Sequence, residues 1–408
     1  MLPNGWNETT LGAALRRVVE PVKVDVDDEY QEIGIRSHGK GIFHKPAVMG
    51  AELGDKRVFH VVPNALIFNI VFAWEQAVAV TTEHEKGKIA SHRFPMYLPK
   101  DGQCDVEYLR NYFCTKRGKE MLELASPGGA GRNKTLGQRE FEKISIAMPP
   151  LMEQQQISKA LLVWNRAILI QERLIENTLE LKAGLMQRLL PKIHSNQKLP
   201  KGWSITSIGE CATMNPSRPA RPLDGQVTFL AMEAVSEDGR VLRPKTRNYS
   251  EVATGYTSFI NGDILVAKIT PCFENGKGAL VTNLTNGIGF GSTEFHVLRP
   301  KSNTNASLLA HIVGSQEFRV RGATEMVGSA GHKRVAVSFI DSFRFAEPIS
   351  PKEKAAIVSM LNVADRLRFQ LRSDLEALKL QRAVLAYQLT KGICRFPNRT
   401  EDAKRTTA

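Results

Sequence analysis

Residues 151–190 read LMEQQQISKALLVWNRAILIQERLIENTLELKAGLMQRLL, and residues 351–390 read PKEKAAIVSMLNVADRLRFQLRSDLEALKLQRAVLAYQLT. Stepping through the first by four and three gives Ile157, Leu161, Trp164, Ile168, Gln171, Ile175, Thr178, Lys182, Leu185 and Leu189. The same positions 200 residues later are Ile357, Leu361, Ala364, Arg368, Leu371, Leu375, Leu378, Arg382, Leu385 and Leu389. Apolar residues at this spacing lie on one face of a helix, and a seven-residue repeat predicts helices that pair along that seam. Each helix is preceded by Pro and carries Glu153 or Glu353 near its first turn, where a carboxylate suits the helix dipole. Lys391-Gly392 marks the stop of the second. At 1.5 Å per residue each seam is roughly 50 Å long.

Outward from these helices the chain repeats itself, and a repeat governs how every motif is read. Residues 2–12, LPNGWNETTLG, return as LPKGWSITSIG at 199–209. Ala130-Gly131 followed by Arg132, Asn133 and Lys134 returns as Ala330-Gly331 followed by His332, Lys333 and Arg334. Between these marks lie β-branched runs broken by Gly, Asn and Pro. Val58 to Val80 in the first half, and Phe259 to Val266, Gly278 to Thr282 and Glu294 to Leu298 in the second, predict strands. Val106 to Leu124 predicts a helical stretch. The expected fold class is α+β, with two domains separated by two long antiparallel coiled-coil-like helices in a pseudo-twofold internal repeat. The expected boundaries are a first domain over 1–150, a long helix over 151–195, a second domain over 196–348, a second long helix over 349–392, and a disordered polar tail over 393–408.

The 408 residues suffice for two or three domains with real cores. A composition 42% hydrophobic and 24% charged excludes wholesale disorder. The 55 Lys and Arg against 42 Asp and Glu leave a formal charge of +13, which favours an anionic partner, nucleic acid first and a membrane surface second. The most apolar run, Ala65 to Trp74, is short and interrupted by Asn69, so no bilayer span is expected. The N-terminus lacks a basic segment followed by an apolar one, and a cytoplasmic location is expected. Cys104, Cys114, Cys211, Cys272 and Cys394 are widely spaced with no CxxC pair, which reads as reduced, mostly buried thiols.

Several of these motifs together resemble the specificity subunit of type I restriction-modification systems. They are the LPNGW and LPKGW openings, PPLMEQQQI at 149–157, and LELKAGLMQRLLP at 179–191. In the second domain GDILVAKITPCFENGKGALV at 262–281 and NGIGFGSTEFHVLRP at 286–300 look like a target-recognition domain of that family. FAWEQAVAV at 72–80 and ASPGGAGRNKTL at 125–136 look like the matching segments of another. The resemblance implies two target-recognition domains that read a split, asymmetric duplex DNA target, in a chain without chemistry of its own. It also implies methyltransferase partners using S-adenosylmethionine, commonly two copies docked on the helices. A restriction subunit using ATP and Mg for translocation and cleavage would join them.

The residues themselves lead to a similar place. A spacer of roughly 50 Å compares with about 34–36 Å per duplex turn, so the half-sites would lie one to one and a half turns apart. Lys and Arg meeting phosphates supply salt-dependent affinity, whereas Arg, Lys, Asn and Gln aimed at base edges supply identity. The candidate DNA contacts are Arg132, Asn133 and Lys134 in the first Gly-rich loop, and His332, Lys333 and Arg334 in the second. Lys268, Asn275 and Lys277 form a further group, and Arg93 with Lys86, Lys88 and His92 another. For each the competing reading is a solvated basic turn. Val163, Ile170 and Leu174 belong to a second apolar stripe on the first helix, which a two-helix seam would leave uncovered, and are the candidate partner-binding residues.

Enzymatic motifs are missing from the sequence. There is no GxxxxGK[ST] loop, no HExxH, and no methyltransferase signature, since Asn215-Pro216 is followed by Ser217. The glycines at 287, 289 and 291 fit β-turns better than a dinucleotide loop. Asp263 and Glu294 are carboxylates without metal-site spacing. Two alternatives stay open: a nuclease with a diverged metal site, and a basic coiled-coil scaffold that binds nucleic acid nonspecifically.

Overall fold

A computed structural model describes residues 2–100, 102–128, 134–191, 193, 199–302, 304–329 and 331–396. The chain divides into two compact units, residues 1–171 with 374–408, and residues 172–373.

In the first unit the LPNGW opening is a tight turn. The Trp6 amide donates to Pro3 O at 3.0 Å, and Gly5 adopts φ +77°, the left-handed conformation this turn position requires. The turn launches β1 (Asn7–Thr10), and the strands that follow are β2 (Leu15–Val18), β3 (Glu29–Ile35), β4 (Ile42–Met49) and β5 (Val58–His60). Next come β6 (Leu66–Phe68), β7 (Val78–Val80), β8 (Ile89–Ser91), β9 (Met96–Pro99) and β10 (Ser145–Met148). They form a sheet of order β2-β9-β6-β7, a sheet of order β4-β3-β8-β5, and a β1-β10 ribbon.

The second unit follows the same plan. Its strands are β11 (Trp203–Ser207), β12 (Ala212–Met214), β13 (Gln226–Leu230), β14 (Lys245–Asn248) and β15 (Thr257–Ile260). They continue as β16 (Ile264–Ala267), β17 (Gly278–Leu280), β18 (Ile288–Gly291), β19 (Phe295–Pro300) and β20 (Arg344–Pro348). The orders are β12-β19-β16-β17, β14-β13-β18-β15 and β11-β20, which are those of the first unit with ten added to each number. Even the parallel pairing recurs, β3 with β8 and β13 with β18. Gly289 and Gly291, expected in β-turns, lie in β18, where a Cβ would sit 2.0 Å from the Phe259 ring at 289 and 2.4 Å from Leu230 O at 291.

Short helices recur as well. The stretch expected as one helix is two, Val106–Phe113 and Lys116–Leu124, matched by Ala306–Val313 and Gln316–Thr324. The break has a local cause. Thr115 and Ser315 cap the second helix of each pair through their hydroxyls, as Asp105 and Asn305 cap the first through their side-chain oxygens.

The long helices are Leu151–Leu189 and Pro351–Thr390. In the first unit, Ile157 and Leu161 of one and Ala386 and Leu389 of the other enter the core around Phe68, Phe113 and Phe141. In the second, Ile357 and Leu361 face Leu185, Leu189 and Leu190 around Phe318 and Phe343. The two helices therefore run antiparallel within each unit. Leu161 and Leu361 are fully buried, and truncating either to Ala should cost about 2–5 kcal/mol. Glu153 does more than complement the helix dipole: buried, it accepts from Trp6 Nε1 at 3.3 Å and from Arg395 at 2.8 and 3.0 Å. Phe396 packs on the same core, so the stretch from 393, expected as tail, begins with residues held in place, while 397–408 lie outside the described residues.

Cys104 and Cys211 are buried, Cys114 and Cys272 half-buried and Cys394 exposed, all as free thiols. Among the described residues no helix is long and apolar enough to cross a membrane.

Candidate nucleic-acid interface

In the second unit, β16 ends at Ala267 and the chain leaves the sheet at Lys268 between two neighbours. The Lys268 amide donates to Glu294 O at 2.9 Å, and Lys268 O accepts from the Val335 amide at 2.9 Å. The Gly-rich loop is stapled to this point. Thr270 N donates to Lys333 O at 3.0 Å, and Arg334 and Val327 exchange two backbone hydrogen bonds of 2.9 and 3.1 Å. Beneath it His296 is buried, donating from Nε2 to Val335 O at 3.0 Å, and burial holds its pKa below the ordinary value so that the ring is neutral. This framework brings Lys268, Lys333 and Arg334 together.

Arg334 does not hang free. Its Nε and Nη2 donate to the two Glu294 oxygens at 2.9 and 2.8 Å, and its Nη1 donates to His332 O at 3.3 Å. The Arg334 guanidinium beside it holds the Glu294 carboxyl below the usual range. Asp263, the other carboxylate singled out, is likewise taken by Arg299, with both bonds at 2.8 Å. Among the described residues no group of three or more His, Cys, Asp or Glu could hold a metal ion.

Asn275 and Lys277 fall in a different place. They line a cleft of about 1090 Å³ in the second unit with Lys182, Arg319 and Arg372, and Lys268, Lys333 and Arg334 are not part of that lining. Asn275 Nδ2 donates to Glu237 at 2.9 Å, so this asparagine already has a protein partner.

The first unit repeats the Lys268 bridge with different side chains. Ile70 N donates to Arg93 O at 3.0 Å and Ile70 O accepts from Leu136 N at 2.9 Å, as Lys268 does with Glu294 and Val335. Arg93 thus stands where Glu294 stands, and Lys134 where Lys333 stands. Arg93 is exposed. Lys134 Nζ lies 5.5 Å from the centroid of the Trp74 ring, a cation–π contact that no spacing in the sequence reveals. Lys88 Nζ donates to Gln31 at 2.7 Å, while Lys86 and His92 are exposed. Arg132 and Asn133 lie outside the described residues.

On the first long helix Val163, Ile170 and Leu174 are 65%, 58% and 42% exposed. Residues 68–181 match the family model described as type I restriction modification DNA specificity domain. Two curated relatives from Escherichia coli match about half of this chain. The type I restriction enzyme EcoAI specificity subunit is 36% identical over 200 residues, covering 47% of this chain and 34% of the relative. The EcoEI specificity subunit is 35% identical over 214 residues, covering 50% and 36%. Over about half of its length the chain is similar to type I restriction-modification specificity subunits. Its matches span about a third of the length of those curated relatives.

A likeness in fold to solved structures extends over nearly the whole chain. A chain from the structural work on assembly and conformational transition of the type I R-M system superposes with a TM-score of 0.59 at 15% identity, covering 96% of this chain and 99% of its own. The S subunit of a type I restriction-modification system from M. genitalium gives 0.56 at 13% identity, covering 98% of each. At these identities the likeness concerns the fold.

Proposed function

We propose that this chain is a non-catalytic DNA specificity subunit that reads a split, asymmetric duplex target and directs methyltransferase and restriction subunits to it. The observation that carries this is the repeated framework. The same strand order, the same two-bond backbone bridge at Ile70 and Lys268, and a basic loop occur in both units, with different side chains at most matched positions. Two copies of one reader with different contents suit two different half-sites.

In this reading residues 1–150 and 196–348 are the recognition domains. Residues 151–195 and 349–392 are the spacer, an antiparallel coiled-coil-like pair relating the domains by a pseudo-twofold axis. Lys134 and Lys333 meet phosphates, and Arg93, Arg132, Asn133, Lys268, His332 and Arg334 are the residues from which base contacts are drawn. Asn275 and Lys277 serve from the rim of their cleft. Val163, Ile170 and Leu174 take a methyltransferase subunit, two copies per chain, which supplies S-adenosylmethionine chemistry. The restriction subunit brings ATP and Mg, and the complex works in the cytoplasm.

Selection of the full chain against a pool of random-sequence duplexes tests the reading. Two short enriched blocks at fixed spacing support it, whereas uniform, salt-sensitive binding favours the nonspecific scaffold. Cleavage of DNA by the pure chain with Mg²⁺ would favour the nuclease.

A further inference from the structure

We infer that Glu294 is a positioning residue that holds Arg334 in the orientation that reads a guanine. The inference rests on the DNA-reading role proposed above. Arg334 is 45% exposed on its side chain, at the outer edge of the stapled loop. An arginine so exposed ordinarily samples many rotamers, and ordering it on a base would use up much of the contact's free energy. Here that freedom is already spent. Nε and Nη2 are fixed by the two Glu294 oxygens, and the backbone that carries both residues is fixed by the Lys268 bridge.

The donors that remain match an identifiable ligand. A guanidinium carries five N–H groups, and among the described residues three are used, two by Glu294 and one by His332 O. One hydrogen is left on each Nη. Two parallel N–H donors on a rigid plane fit O6 and N7 on the major-groove edge of guanine, a pattern no other base presents. Glu294 contributes in a second way, because its charge offsets that of Arg334 and Lys268 and so reduces attraction to phosphates that carry no sequence information. In the first domain Arg93 rather than a carboxylate occupies the matched position, so the arrangement belongs to one half of the target.

The test is selection of the full-length chain on a randomised duplex pool at fixed salt, comparing wild type with Arg334→Ala, Glu294→Ala, Glu294→Gln and the Arg334→Ala/Glu294→Ala double variant. Glu294→Gln keeps the shape of the side chain where the alanine variant loosens the loop. Arg334→Ala is expected to lower the preference for guanine at one position about tenfold or more. Both Glu294 variants should lose most of that preference at the same position and none elsewhere, and the double variant should match Arg334→Ala alone. A guanine preference unchanged in the Glu294 variants, or an equal loss at every position, overturns the inference while a wild-type split motif leaves the proposed function standing. A wild type that selects no motif removes both.

Discussion

Lys182 Nζ lies 2.8 and 2.6 Å from the two carboxylate oxygens of Asp365. Lys182 is a polar interruption in the apolar seam of the first long helix, and Asp365 is on the second. Arg368, another interruption, is 7% exposed and lies 3.5 Å from Asp365 and 3.9 Å from Asp238. Arg382, in the other unit, donates to Asn165 at 3.1 Å and Asn111 at 2.9 Å. Lys182, Arg368 and Arg382, three breaks in the seam, thus each have polar partners.

Removing Lys182 or Asp365 should leave its half-buried partner without its main ion pair. Asp365→Ala is expected to destabilise the second unit by about 2–3 kcal/mol, read from urea unfolding of the full chain. Replacing Lys182 and Asp365 together by Met and Leu should cost much less. Equal losses in both variants would show that the pair contributes favourably in itself.

His311 gives the same region a pH dependence. It is buried, with Nε2 3.0 Å from Asn362 Oδ1 and Nδ1 3.6 Å from Asp365, and burial, helped by the Lys182 charge, pushes its pKa down to about 4. Between about pH 6.5 and 4 the unfolded chain binds a proton at this site that the folded chain does not, so stability falls as pH falls. The loss at His311 approaches about 3 kcal/mol at the acid end. His296 acts in the same direction. Urea midpoints at pH 7 and pH 5 should differ less in His311→Gln than in wild type, and an equal difference would remove His311 as the cause.

Charges placed on the exposed stripe should break assembly and spare folding. Val163→Asp with Ile170→Asp is expected to abolish co-purification with a methyltransferase subunit while the circular dichroism and melting of the chain stay unchanged, since surface substitutions rarely cost more than about 0.5 kcal/mol. Undiminished co-purification would move the docking face elsewhere.

The lysines of the two loops should behave as phosphate contacts. Lys333→Ala and Lys134→Ala are each expected to weaken binding to every duplex alike and to flatten the slope of log affinity against log salt by about one. A change of base preference in either variant would mark it instead as a reader.

The seam shows how far sequence could go. Ile157, Leu161, Ile357 and Leu361 were visible as helix positions because burial on a helix imposes a period that side-chain chemistry alone reveals. The LPNGW and LPKGW openings were visible only as a repeat, and the left-handed turn position that Gly5 and Gly202 take gives a physical reason for it. β5 to β7, β15 to β17 and β19 were legible as strands, but no sheet order was, since β3 pairs with β8 across more than fifty intervening residues. The site was legible only in part. Aligning the loops by their Ala-Gly dipeptides pairs Lys134 with Arg334, whereas the backbone bonds of Ile70 and Lys268 pair it with Lys333. Glu294 and Trp74 come to the loops through tertiary contacts, and no local pattern announces such contacts.

The central claim is that each domain reads its own half of one target. The direct test replaces residues 1–150 with the corresponding domain of another specificity subunit and maps the target of the hybrid, by selection on random duplexes or by methylated-adenine mapping with the methyltransferase co-expressed. The account predicts that one block of the motif changes while the second block and the spacing stay as in wild type. Simultaneous change of both blocks, or of neither, would contradict it.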